Sequence, residues 1–421
     1  MSVYRLLSEV AKTLRPSQEV FVLLDEVIAR INKEISLHGF SAHASLGGSV
    51  AKDTFLRGDH DVDVFVRFSI SEHKDDDLSE LLSQVMNRFD ASLVHGSRDY
   101  FEFYEGDFHI EVVPVLDISD ATQAKNVTDV SPLHVRYIKE SGVDTDQIRL
   151  AKQFCKAAGV YGAESYIRGF SGHVIDLLIV IHESFYELAR AACSWKPPIV
   201  FDPASHHDNP VLEIPTSKHG PLLIVDPIQP FRNAAAALDD EQFTCFVDAC
   251  KEFVSQPSKE FFVIKEFDEQ ALDKRLRAQD SWVKLLVTHD ADDKRDVAGS
   301  RVRKFYERLV DELSYAEFAP VDSGWEFSYQ DKSIVWFVFD TLLLSEFERR
   351  QGPPLSEEEH VLAFQEAHDD VIEEDGVLFA QVAREIRTPY DALMTALDEV
   401  SSQIPLDYEI VAGVLREQDQ Q

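Results

Sequence analysis

Gly47 to Phe68 reads GGSVAKDTFLRGDHDVDVFVRF, and the fold turns on how this stretch is understood. Its second half alternates. Asp61, Asp63 and Arg67 fall on one side of an extended run, and Val62, Val64, Val66 and Phe68 on the other. A strand has a side-chain period of two, so both carboxylates share one face while the apolar residues bury the opposite one. Paired carboxylates aimed the same way repel unless a cation lies between them, which makes Mg²⁺ the natural partner. The first half offers Gly47, Gly48 and Ser49, a flexible turn that can bring backbone N–H groups against phosphate oxygens, with Lys52 close behind. A phosphate-binding turn whose Ser49 stands twelve residues before a metal-binding pair points to chemistry on a nucleoside triphosphate. D-x-D on a strand also occurs as a plain solvated face, and the pair alone does not separate the two readings.

At 421 residues the chain is too long for one core. With 44% hydrophobic and 10% aromatic residues it is globular and not disordered. Cys155, Cys193, Cys245 and Cys250 have no C-x-x-C spacing, which excludes the usual zinc patterns, and no signal peptide opens the sequence. The longest apolar run, around Val174 to Ile181, is interrupted by Asp176, so no membrane span is expected and a cytoplasmic location is. The net charge of −35 is awkward for a nucleic-acid binder, which normally carries a basic footprint. Either the protein does not bind RNA, or its acidic surface is a solubility adaptation such as a salt-rich cytoplasm selects.

Outward from the central stretch, Ser17 is placed to cap a helix whose apolar residues run from Val20 to Ile35 and which Gly39 stops. Residues 72–77 read as a solvated turn and Leu78 to Phe89 as a helix. Arg98 to Tyr104 and Phe108 to Val115 form a hairpin around Glu105-Gly106-Asp107, with Pro114 marking an edge position or a bulge. Glu111 sits among β-branched residues on the second arm, where a carboxylate is costly unless paired or metal-bound. From about Gln147 the pattern is helical, with a glycine-rich corner at Tyr161 to Gly172 and then one long apolar helix from Ser171 to Trp195. Lys152, Lys156 and Arg168 make a basic corner there, although Lys156 reads equally as a solvated helix face. Ser255 to Lys259 reads as a linker, FFVIKEF and WVKLLVTH as strands, and the region around Arg301 to Leu313 as a helix rich in cations.

G-[GS]-S followed by D-x-[DE] on the next strand is the pattern of the nucleotidyltransferase superfamily. The wider run GGSVAKDTFLRGDHDVDVFV resembles archaeal-type (class I) CCA-adding tRNA nucleotidyltransferases. SPLHVRYI at Ser131 to Ile138, the YGAE…RGFSG run at Tyr161 to Gly172, IVDPIQPFRNAAAAL at Ile224 to Leu238 and ERRQGPP at Glu348 to Pro354 resemble further segments of that family. The likeness runs from about residue 16 to at least Arg384, and is weakest in the tail.

The resemblance implies an α+β multidomain chain: a polymerase-β-like nucleotidyltransferase head with a mixed sheet over 1–142, a helical central nucleotide-binding domain over 143–256, and an α/β tail over 257–421 that grips tRNA. It implies template-free addition of CCA to a tRNA 3′ end from CTP and ATP, with two Mg²⁺ ions. Asp61, Asp63 and Glu111 would be the catalytic and metal-binding carboxylates, Glu111 replacing the family's usual Asp. Gly48, Ser49, Lys52, Lys152 and Tyr161 would hold the triphosphate, and Ser131, His134 and Arg232 would shape the nucleotide pocket. His134 as a helix-capping side chain and Arg232 as a plain ion-pair partner of Asp226 remain structural alternatives. Arg301, Arg303, Lys304 and Arg308 are the expected RNA contacts. A homodimer is compatible with this reading. So are a terminal transferase that adds only A or only C and an inactive relative that only binds RNA.

Overall fold

The computed structural model describes residues 2–414, which divide into two compact units between Lys265 and Glu266. In the first unit α1 (Val3–Leu14) is followed by α2 (Gln18–His38), β1 (Ala42–Leu46), α3 (Gly48–Ala51), β2 (Asp61–Ser69), α4 (Ile70–His73), α5 (Leu78–Met86), β3 (Ser92–Val94), β4 (Tyr100–Glu105) and β5 (Phe108–Asp117). Strand order is β1-β2-β5-β4-β3, with β2 and β5 parallel and every other pair antiparallel. The apolar residues of α2 do face inward, with Leu24, Val27, Ile31 and Ile35 buried, and Gly39 ends the helix in the left-handed region at φ 72°.

Pro114 lies on an interior strand and not at the sheet edge. It is tolerated because the β4 pairing stops at Phe101 opposite Val112, leaving the next stretch of β5 locally open. Arg98 fills that opening and donates to the Pro114 carbonyl at 3.0 Å.

A second core in the same unit is helical: α6 (Ser131–Glu140), α7 (Thr145–Ala157), α8 (Gly172–His182), α9 (Phe185–Ala192) and α11 (Asp240–Ser255), with the short α10 (Pro210–Glu213) and the pair β6 (Ile199–Phe201) and β7 (Leu222–Ile224). Leu6, Leu7, Val10, Ala11 and Leu14 of α1 are buried in this core and not in that of the sheet, so the first helix belongs to the helical layer. The apolar run expected as one long helix is two. Glu183 adopts φ 64° at the end of α8, and the Ser184 hydroxyl caps α9 by accepting from the Glu187 N–H at 3.3 Å. FFVIKEF is not a strand. Phe261 and Phe262 pack against Phe154, Phe185 and Phe253, which draws the segment past the expected linker into the helical core.

The second unit begins with α12 (Glu269–Leu276) and holds an antiparallel sheet ordered β14-β8-β10-β9, built from β8 (Trp282–Thr288), β9 (Asp322–Glu326), β10 (Ser333–Val338) and β14 (Asp407–Val414). The helices α13 (Arg295–Tyr315) and α15 (Pro389–Gln403) share its main core. A smaller sheet ordered β11-β13-β12 joins β11 (Phe347–Pro354), β12 (Val371–Glu374) and β13 (Val377–Ala383), with α14 (Glu358–Ala367) beside it. Arg303 is 5% exposed and donates to Glu307 at 2.8 Å, so it cannot join the other cations as a surface for RNA. Arg303 is buried although it lies off the apolar stripe of Val302, Phe305 and Leu309, whereas Arg301, Lys304 and Arg308 share one face at i, i+3 and i+7. Arg301 and Arg308 are themselves paired, with Asp293 and Glu312.

Because Phe262 fills the helical core, Phe262→Ala in the full chain should cost about 3–5 kcal/mol, read as a lower urea midpoint of the unit that contains it. A midpoint unchanged from wild type would place the end of that unit earlier in the chain.

Candidate active site

Asp61 and Asp63 open β2, and the parallel register sets Asp63 directly beside Glu111 and Asp61 beside His109. Adjacent strands lie about 4.8 Å apart, so the carboxylates of Asp63 and Glu111 are immediate neighbours. Val62, Val64 and Val66 are fully buried behind them and fix their aim. Burial raises the pKa of Asp63, which Lys52 opposes and Asp61 reinforces. Burial also raises the pKa of Glu111, helped by the charge of Asp63. His109 bridges Asp61 at 3.3 Å and Glu102 at 3.2 Å, closing the cluster on one side. Oxygen donors held close together with too little positive charge among them fit a hard divalent cation.

The turn that precedes α3 is seated against this cluster. The Gly47 N–H donates to the Asp63 carbonyl at 2.8 Å. Gly48 has φ 49°, and a Cβ there would lie 1.7 Å from Asp63 Oδ2. Only glycine allows this approach of turn to carboxylate. A cavity of about 280 Å³ opens here, lined by Gly48, Lys52, Asp63, Ser131, His134 and His173 among others.

One stripe of α7 holds the loop after α3. Arg149 donates to the Phe55 carbonyl at 3.0 Å and pairs with Asp53, Lys152 donates to Thr54 Oγ1 at 2.8 Å, and Lys156 pairs with Asp59 at 2.5 Å. These residues are spaced i, i+3, i+7 and so lie on one helical face. The basic corner read from the sequence is therefore largely committed to the protein itself. Lys156 is no solvated face, since its ammonium also lies 5.2 Å from the centre of the Tyr161 ring. Lys152 is 2% exposed, and its pKa is lowered to about 8 by burial. Tyr161 is also mostly covered, and burial raises its pKa. Lys52 pairs with Asp176 of α8, which is fully buried and lies 3.4 Å from Lys152 Nζ. Burial alone would raise the Asp176 pKa, but Lys152 and Lys52 bring it below the ordinary value.

Asp226 organises the other wall. His134 Nε2 lies 2.9 Å from its Oδ1, and Arg232 donates to Oδ2 at 2.7 Å. His173 is 3.4 Å away, and the Ile228 and Gln229 N–H groups also donate to Oδ1. Asp226 is fully buried, a setting that by itself raises a carboxyl pKa. The hydrogen bonds from His134 and His173 outweigh that and hold it well below the usual range. Ser131 and His134 line the cavity, whereas Arg232 reaches it through Asp226 and His134 and is 44% exposed.

Residues 146–263 match the family model described as tRNA nucleotidyltransferase, second domain, and residues 288–413 that of the CCA-adding enzyme, C-terminal domain. The CCA-adding enzyme of Sulfurisphaera tokodaii is 31% identical over 75% of this chain and 74% of its own length. The chain belongs to the CCA-adding enzyme family. The CCA-adding enzyme of Methanothermobacter thermautotrophicus is 29% identical over 93% of this chain and 88% of its own length. That of Halobacterium salinarum is 30% identical over 78% and 72%. Among solved structures, a cytoplasmic RNA terminal U-transferase has the same fold over 63% of this chain and 99% of its own, with a TM-score of 0.50 at 11% identity.

Sequence reasoning about the family left out Glu102, His109, His173 and Asp176. Asp176 did carry a signal, as the lone charge within an apolar helix. His109 carried none, because its place is set by the β2–β5 register.

Two outcomes follow from the crowding at Asp63. Its pKa is raised on folding, so the metal-free folded protein takes up this proton more readily than the unfolded chain does, and stability falls as pH rises through the folded value. Asp63→Asn should therefore melt no lower than wild type in EDTA while losing nucleotide addition, and a clear drop in Tm would make Asp63 a fold element. Gly48→Ala should displace the Asp63 carboxylate and cut the rate of addition by about a hundredfold or more, measured with saturating CTP.

Proposed function

We propose that this chain adds CCA to the 3′ end of tRNA from CTP and ATP, without a nucleic-acid template, and releases pyrophosphate. The observation that carries the reading is the meeting of Asp61, Asp63 and Glu111 on one sheet face, with the Gly47–Gly48 turn pressed against Asp63. Membership of the CCA-adding enzyme family supports the substrate and the product. No helix among the described residues is long and apolar enough to cross a membrane.

Asp61, Asp63 and Glu111 would hold two Mg²⁺ ions. Held by these carboxylates, divalent ions would supply a lower pKa for the tRNA 3′-hydroxyl and charge neutralisation for the leaving pyrophosphate. Glu111, directly beside Asp63 in the β2–β5 register, would assist removal of the hydroxyl proton. Gly48, Ser49 and Lys52 face the triphosphate, with Lys152 and Tyr161 supporting them from behind. Ser131 and His134 border the nucleotide, and Arg232 offers a guanidinium fork that can satisfy acceptors on either C or A. Asp226 fixes that fork. The unit from residue 266 onward is the part we assign to holding tRNA, with Arg301, Lys304 and Arg308 on the outer face of α13.

The direct test is to incubate a tRNA lacking its terminal CCA with CTP, ATP and Mg²⁺ and to sequence the 3′ ends. CCA ends are expected. Ends bearing only A or only C would identify a narrower terminal transferase, and unextended ends would leave an RNA-binding relative. In the same assay Glu111→Asp should keep substantial activity and Glu111→Gln should not. Arg232→Ala should admit UTP and GTP, losing hydrogen bonds worth about 1–3 kcal/mol. An unchanged nucleotide preference would reduce Arg232 to an ion-pair partner of Asp226.

A further inference from the structure

Asp176 lies on α8, a helix with no direct share in the carboxylate cluster, and it does not line the cavity itself but pairs with Lys52, which does. It is 0% exposed. Its Oδ2 pairs with Lys52, the residue that ends α3 and lines the cavity beside Gly48 and Asp63. Its Oδ1 lies 3.4 Å from Lys152 on α7, whose ammonium also donates to Thr54 Oγ1 at 2.8 Å. Three elements thus place two ammonium groups around one buried carboxylate. A pair built only for stability has no need of the second cation, and buried ion pairs add little over apolar packing. The surplus positive charge has one open side, the cavity, through Lys52.

We infer that Asp176 is a positioning residue: in the nucleotide-free site it takes the place of a phosphate oxygen beside Lys52, and it yields that lysine to the triphosphate when CTP or ATP binds. This rests on the proposed nucleotidyl transfer and specifies how its triphosphate site is kept ready. Without Asp176, Lys52 and Lys152 repel each other across a buried space. Lys52 then swings to solvent or toward Asp63, and binding must first gather it back. With Asp176 the lysine is already at the phosphate end, so less ordering remains to be done when the nucleotide arrives. Every nucleotide substrate shares the triphosphate, so the effect is blind to the base. It is also separate from the Asp226 wall that carries Arg232.

Steady-state kinetics of Asp176→Asn decide it. KM for CTP and KM for ATP should rise together, by about tenfold or more. The kcat at saturating nucleotide, the KM for tRNA and the choice among nucleotides should stay near wild type. A folded Asp176→Asn enzyme with wild-type nucleotide KM values overturns the inference, as does a rise confined to one nucleotide. A fall in kcat with every KM unchanged, tracking a smaller folded fraction, also overturns it by showing a structural role only. Should the variant fail to fold, the ¹⁵N signal of the Lys52 ammonium in the wild-type enzyme decides instead. Slow proton exchange without nucleotide and a shift on adding CTP are expected, and a signal unmoved by CTP overturns the inference. Wild-type enzyme that extends no tRNA would count against the proposed function. Wild-type extension with unaltered kinetics in the variant would count against the role of Asp176 alone.

Discussion

The structure depends on keeping like charges together. Asp61, Asp63 and Glu111 share one sheet face because β2 and β5 run parallel in a single register, and that register is fixed by valines buried behind them. The cost appears in the raised pKa values of Asp63 and Glu111, both pushed up first by burial. The sheet can hold the arrangement only because its other face is a rigid apolar core containing Phe68, Ile110 and Val112. A slip of one residue in either strand would turn the carboxylates into that core.

Lys52, at the end of α3, is the cation that opposes the charge of Asp63, and the cations of the helical layer hold the chain that follows it. The stripe of α7 formed by Arg149, Lys152 and Lys156 grips the loop after α3, so the turn beside Asp63 is positioned from outside the sheet. Asp176 and Asp226, both fully buried, pair with Lys52 and His134, which line the cavity. An overall charge of −35 is thus compatible with a locally ordered cationic set, because the cations near the site are paired and held, not displayed. The same economy marks α13, where Arg301, Arg303 and Arg308 each have an acidic partner.

What could be read from the sequence was local. Alternation over Asp61 to Phe68 fixed the strand and the shared face of Asp61 and Asp63, and Glu111 stood out as a carboxylate among β-branched neighbours. The Asp226–Arg232 pair was visible six residues apart. Misreadings arose where distant packing overrode local pattern. Phe262 has the neighbours of a strand but is drawn into an aromatic cluster with Phe154 and Phe185. Arg303 sits in a cationic run, yet it is buried and paired with Glu307. The apolar stretch after Ser171 gives no sign of its break at Glu183, which depends on a left-handed residue and a serine cap. His109 enters the site only through pairing with a strand nearly fifty positions earlier, which no local window contains.

The route of the chain through its first unit carries a mechanical consequence. Since α1 packs in the helical core, the chain enters the sheet core after Leu14 and returns through α6, which has Leu133 in one core and Ile138 in the other. The sheet is therefore suspended at two points, by a short loop and by a helix. A domain on one tether can swivel freely, whereas one on two is restricted to rotation about the line joining them. Arg15 bonds Asp146 beside the first point, and the Arg57 N–H donates to the Leu14 carbonyl at 2.8 Å. These contacts bind the loop of the sheet to the axle itself. An opening of the cleft would have to turn about that line and break the ion pairs that α7 makes with the loop after α3.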